Sequence, residues 1–185
     1  MPSWSRIATR SRVPLGFAFA AAYVWFAHPH WLSIAAGSGV AIVGLFIRAA
    51  ASGHIRKNAQ LTTTGPYAYV RNPLYLGSIL IAAGFIVAAR NWWIGLAALA
   101  MFAFIYIPVV RAEEIYLRSV FPEFENYCAH VSRFFPRLTA YASHNASDSA
   151  GVSFSRQLYL KHREYNALIG SLMMLAVLIL KMVWV

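Results

Sequence analysis

The sequence predicts an all-α, polytopic integral membrane protein, and three observations carry that prediction. Hydrophobic residues make up 59% of the 185-residue chain and charged residues only 12%, too few polar side chains to coat a soluble globule of this size. The mean hydropathy is +0.54. The charges lie between long apolar runs rather than in one basic stripe, so the formal net charge of +10 is read as membrane topology and not as a nucleic-acid footprint. The length suits a single domain, 1–185, with a polar motif region at 61–136, a linker at 139–155 and a C-terminal helix at 166–185.

The elements follow in order. Arg6, Arg10 and Arg12 precede the apolar run 13–27. It resembles a signal peptide, but no convincing small-x-small cleavage site with a mature soluble domain follows, and it is taken as a retained first span. The run 31–51 is a second span, with Gly37, Gly39 and Gly44 on a small-residue face suited to close helix contact. Arg48 lies near its end and is expected to snorkel. A polar loop follows at 52–72. The runs 74–89 and 92–110 are joined by Arg90-Asn91, a connection short enough to make an antiparallel hairpin. The first of the two falls below the ~20 residues usually needed to cross a bilayer. Pro108 is expected to kink the second. Segment 111–136 is amphipathic, and a last apolar run covers 166–185.

Five spans place the N-terminus, 52–72 and 111–165 on one side. Of the 16 Lys and Arg residues, all but Arg90 and Lys181 fall there once Arg48, at the adjoining end of the second span, is counted with that side, as do all six acidic residues. The positive-inside rule makes that side cytoplasmic, in a bacterial inner membrane or its equivalent.

Two polar clusters sit on that face. The first is Gly65-Pro-Tyr-Ala-Tyr-Val-Arg-Asn-Pro-Leu-Tyr-Leu-Gly-Ser78. Gly65 permits a positive φ and Pro66 fixes its own, which marks a tight turn. Pro73 can open a helix but not continue one, so Arg71 stands at a helix N-terminus, where an anion is favoured. The second is Arg111-Ala-Glu-Glu-Ile-Tyr-Leu117. Carboxylates beside Arg71 would suit a zwitterionic ligand carrying one ammonium and one carboxylate. Taken singly, these charges are also explained as an i,i+4 helical pair of Glu114 with Arg118 and as topology determinants.

Together the clusters resemble the isoprenylcysteine carboxyl methyltransferase and phospholipid methyltransferase superfamily of membrane enzymes. The likeness spans 61–136: Gly65-Pro66-Tyr67, Arg71-Asn72-Pro73, Tyr75 and Gly77, then Arg111, Glu113-Glu114, Leu117, Phe121, Tyr127 and Phe135-Pro136. It implies a helical membrane fold that binds S-adenosylmethionine without a Rossmann unit, and no strand–Gly-x-Gly-x-x-Gly–helix pattern is present. By the same resemblance Tyr67, Arg71, Asn72, Pro73, Tyr75, Gly77, Glu113 and Glu114 are cofactor-side residues. Asn72 stands where the commoner pattern has histidine; it donates and accepts hydrogen bonds but carries no proton at neutral pH. An Asn-Pro there is similar to eukaryotic phosphatidylethanolamine methyltransferases, whereas the tail 111–136 looks more like the isoprenylcysteine branch.

The chemistry expected is alignment of a nucleophile for in-line attack on an already activated methyl. A carboxylate acceptor needs a cation to place it, for which Arg111 is the candidate. An ammonium acceptor must first lose a proton, for which Glu114 or Glu113 is the candidate. The acceptor is amphiphilic, a lipid or a prenylated small molecule, entering from the bilayer. An isoprenylcysteine-like acceptor leads, a phospholipid amine follows, and a non-catalytic lipid- or partner-binding protein is the rival from another class. His28-Pro-His30, the scattered histidines and the lone Cys128 are given structural roles, with no metal site.

Overall fold

The computed structural model describes residues 3–56, 60–142 and 154–184, with side chains in the first helix from Pro14 onward. Among these residues the secondary structure is helical throughout. The elements are α1 (Ser3–Phe26), α2 (Trp31–His54), a 3₁₀ turn (Gly65–Ala68) and α3 (Pro73–Ala89). They continue with α4 (Trp92–Val120), α5 (Phe124–His130), α6 (Arg156–Lys161) and α7 (Tyr165–Trp184). The chain is therefore an all-α membrane protein, as its composition dictates. Three helices, α2, α4 and α7, are long and apolar enough to cross a membrane. The apolar stretches Pro14–Phe26 and Pro73–Ala89 are shorter, so the five expected spans are full-length in three places only. Most of the linker 139–155 lies outside the described residues.

The helices alternate in direction, and the polar contacts at the two ends show it. At one end His28 N–H donates to the Ala89 carbonyl at 2.8 Å, and the Asn91 amide donates to the Phe26 carbonyl at 2.9 Å. The Lys181 ammonium there caps α1, donating to the Val24 and Trp25 carbonyls at 2.7 and 2.8 Å, which satisfies groups left open at a helix C-terminus. Tyr23, Ile34, Ala89, Ile94 and Leu178 form the apolar core under these contacts. The last helix thus packs on α1 to α4 at this end and is more than an anchor. His30 caps α2 through a reciprocal pair with Ser33.

The α2–α3 pair is the rigid centre, and glycine makes it so. A Cβ on Gly44 would lie 2.6 Å from the Gly77 carbonyl oxygen, and a Cβ on Gly77 would lie 2.6 Å from that of Gly44. Gly37 and Gly84 meet in the same reciprocal way. Backbones this close forgo side-chain volume for direct contact, the usual solution between helices in a membrane.

Pro108 lies within α4, and a π turn at Phe102–Tyr106 comes just before it. That wider register absorbs the missing N–H and the ring of a proline inside a helix. Arg48 does not snorkel. Its guanidinium turns inward to Glu164 (2.7 Å), to the Leu74 carbonyl (3.2 Å) and to the Ser78 hydroxyl, because an apolar helix offers it full hydrogen bonding only there.

Candidate active site

The two sequence clusters, separated in the chain by residues 79–110, are brought into one site at the end of the bundle where α2 finishes and α3 begins. Gly65 takes φ +59, as its turn requires, and a Cβ there would stand 2.5 Å from the His54 ring. With Pro66 the turn becomes one 3₁₀ loop that buries Tyr67 and Ala68. The chain after α5 then runs alongside it. Arg71 N–H donates to the Ser132 carbonyl (3.0 Å), Arg137 N–H to that of Tyr69 (3.0 Å) and Tyr141 N–H to that of Ala68 (2.9 Å). The Tyr127 hydroxyl closes the clamp on the Tyr67 carbonyl at 2.6 Å. Leu61, Phe124, Tyr127 and Val131 form the apolar floor. Burial raises the pKa of both Tyr127 and Tyr67, so both phenols stay protonated.

Glu114 is the hub. Its side chain is 3% exposed, and α4 turns it inward while Glu113, one residue and about 100° earlier, faces outward and is exposed. Arg133 grips the carboxylate in a fork, Nε to Oε1 at 3.0 Å and Nη2 to Oε2 at 2.6 Å, the geometry that suits guanidinium and carboxylate best. That hydrogen bond raises the pKa of Arg133. The Asn72 amide donates to Oε1 at 3.2 Å and to the Arg133 carbonyl at 3.4 Å. Arg71 Nη1 lies 3.7 Å from Oε1 and 2.7 Å from the Cys128 sulfur. A carboxylate shared by two guanidiniums holds a proton poorly, so Glu114 organises the site better than it could act as a base.

The other expected residues are distributed around that hub. Pro73 opens α3 and is buried, and Asn72 as its N-cap makes no side-chain cap bond. Tyr75 packs edge-on against Tyr106 of the π turn, ring centres 6.3 Å apart. Gly77 is buried against Gly44 and Arg48, in the helix seam rather than at the hub. Arg111 is exposed on α4. Among the described residues two buried side-chain polar atoms lack a hydrogen-bond partner, the Tyr67 hydroxyl and Arg71 Nε. Sequence reasoning missed Arg133 and Cys128. A contact between positions 114 and 133 has no local periodicity to reveal it. Among the described residues no group of three His, Cys, Asp or Glu could hold a metal ion.

A model of the phospholipid methyltransferase family matches residues 17–123. Two curated relatives are the cobalt-zinc-cadmium resistance protein CzcN of Cupriavidus metallidurans, 35% identical over 103 residues, and the nickel-cobalt-cadmium resistance protein NccN of Alcaligenes xylosoxydans xylosoxydans, 38% identical over 105 residues. Each alignment covers 56% of this chain and 48% of the relative; the chain spans about half the length of the curated relatives it matches. No solved structure matches. The family match covers more than half of the chain and includes the Arg71-Asn72-Pro73 loop and Glu113-Glu114. The chain belongs to the phospholipid methyltransferase family, part of the superfamily to which its motifs are similar.

Proposed function

We propose that the protein transfers a methyl group from S-adenosylmethionine to an amphiphilic acceptor at the membrane surface. The observation that carries this reading is the convergence on Glu114 of the Tyr67–Pro73 loop and the 127–137 segment, which leaves polar atoms without partners beside a zwitterion-sized set of charges. The unpartnered Arg71 Nε and Tyr67 hydroxyl fit a ligand that brings a carboxylate and hydrogen-bonding heteroatoms. Arg71 and the uncapped N-terminus of α3 would hold that carboxylate. Glu113 would take the ammonium, and Tyr67 or Tyr75 would offer a ring to adenine. The cofactor supplies an activated methyl; the protein supplies alignment.

Within that reading Glu114 is a positioning residue, fixing Arg71, Asn72 and Arg133, and Arg111 places an acceptor carboxylate. An isoprenylcysteine-like acceptor rests on the tail 111–136. The family match and Asn72 favour the second reading, a phospholipid amine, whose proton Glu113 would accept. The bacterial relatives and the distribution of basic residues support an inner-membrane location with the site facing the cytoplasm. The relatives' names suggest that the methylated product bears on metal tolerance.

The test is S-adenosylmethionine binding to detergent-purified protein, followed by labelled methyl transfer to prenylcysteine and to phosphatidylethanolamine vesicles. Saturable binding weakened tenfold or more by Arg71→Ala, and by Glu113→Gln, is the expected result. A folded wild type that binds neither S-adenosylmethionine nor S-adenosylhomocysteine would leave the rival, a non-catalytic lipid-binding membrane protein, in its place.

A further inference from the structure

A cavity lies away from the Glu114 hub, between α1, α2, α3, α4 and α7. Its volume is about 370 Å³, and its walls are apolar, with Phe19, Tyr23, Ile81, Phe85 and Met174 among them. Polar side chains gather at one end, where Arg48, Ser78 and Asn166 line it. We propose that this cavity binds one uncharged, single-chain lipid and rejects ionic amphiphiles of the same length. The proposal stands without the methyl-transfer reading.

Size sets the first half of the claim. With about 30 Å³ of liquid volume per water, 370 Å³ holds roughly a dozen non-hydrogen atoms, one chain and not two. Such a space is at the small end of ligand cavities, and apolar walls with a few convergent polar groups are their usual composition.

Charge sets the second half. Arg48 has five N–H donors on three nitrogens, and each nitrogen has a protein acceptor. Nε donates to Glu164 Oε2 at 3.0 Å, and Nη2 donates to both carboxylate oxygens. Nη1 donates to the Leu74 carbonyl and the Ser78 hydroxyl. The arginine and glutamate side chains are 22% and 11% exposed. An anionic head group would have to displace Glu164 and strand a nearly buried carboxylate; a cationic one would have to displace Arg48. Either exchange leaves an uncompensated charge in a low-dielectric site. An uncharged head group faces no such cost. The Ser78 oxygen and the Asn166 amide remain to receive it.

The test is photo-crosslinking in nanodiscs with a diazirine-bearing C12 fatty alcohol, mapped by peptide mass spectrometry. Label is expected on α3 and α7 within 78–86 and 166–174, competed by dodecanol and at least tenfold less by dodecanoate or dodecylammonium. Gly170→Leu, where a Cβ meets nothing within 4 Å, should fold normally and cut labelling fivefold or more by filling the cavity; Ala82→Leu should do the same from α3. Glu164→Gln frees Arg48 and should let dodecanoate compete as well as dodecanol. Equal competition by all three head groups in the wild type, or labelling untouched by both filling variants, would overturn the proposal. S-adenosylmethionine binding measured on the same samples reports on the other site separately.

Discussion

Replacing Glu114 by glutamine keeps the shape of the side chain and removes the charge that two guanidiniums share. Two charge-assisted bonds from Arg133, at 3.0 and 2.6 Å, lose their anion. The amide nitrogen of glutamine must also face a donor, either Arg133 or Asn72. Breaking a buried pair on one side typically costs about 3–5 kcal/mol. Arg133 is 34% exposed, so water recovers part of its solvation, and about 2–3 kcal/mol is expected instead. Chemical unfolding in detergent measures this, and a double-mutant cycle with Arg133→Gln isolates the pair. A coupling of at least about 1 kcal/mol is expected, as for residues in one network. A loss below about 0.5 kcal/mol with additive single effects would place Glu114 among ordinary surface substitutions and refute its role as the hub.

Three further outcomes follow from the same geometry. Gly44→Ala pushes a Cβ to 2.6 Å from the Gly77 oxygen and should cost about 1–3 kcal/mol by overpacking. Gly39→Ala meets nothing within 4 Å and should be neutral or slightly stabilising, since alanine is the better helix former; equal effects in unfolding midpoint would contradict the α2–α3 seam. Tyr127→Phe leaves the buried Tyr67 carbonyl without its donor and should cost about 1–3 kcal/mol, with hydrogen exchange rising in the 65–72 loop. Burial raises the pKa of Tyr127 and Tyr67 above the ordinary phenol value of 10.0. Their contribution to stability is therefore complete below pH 10 and is lost as pH climbs beyond it. Unfolding midpoints should be flat from about pH 7 to 9 and fall above about 10, with Tyr127→Phe falling less steeply.

The class of the fold was legible because the bilayer imposes a rule that composition alone can express: apolar runs must satisfy their backbone internally, and helices do that. Turn chemistry was legible for an equally local reason. Gly65 with Pro66 and Pro73 after Asn72 constrain their own φ angles wherever they stand, and the structure has the turn and the helix start where they require. Motif order placed Arg71, Asn72 and Glu114 in one neighbourhood before any geometry was known. What each does there was another matter. That Glu114 is saturated by Arg133, that Arg48 reaches Glu164 116 residues away rather than the interface, and that Gly77 serves a helix seam are facts about groups far apart in the chain. Sequence carries local conformational preference and apolar patterning. Which cation meets which carboxylate is settled only when packing removes water and each buried charge must find a partner.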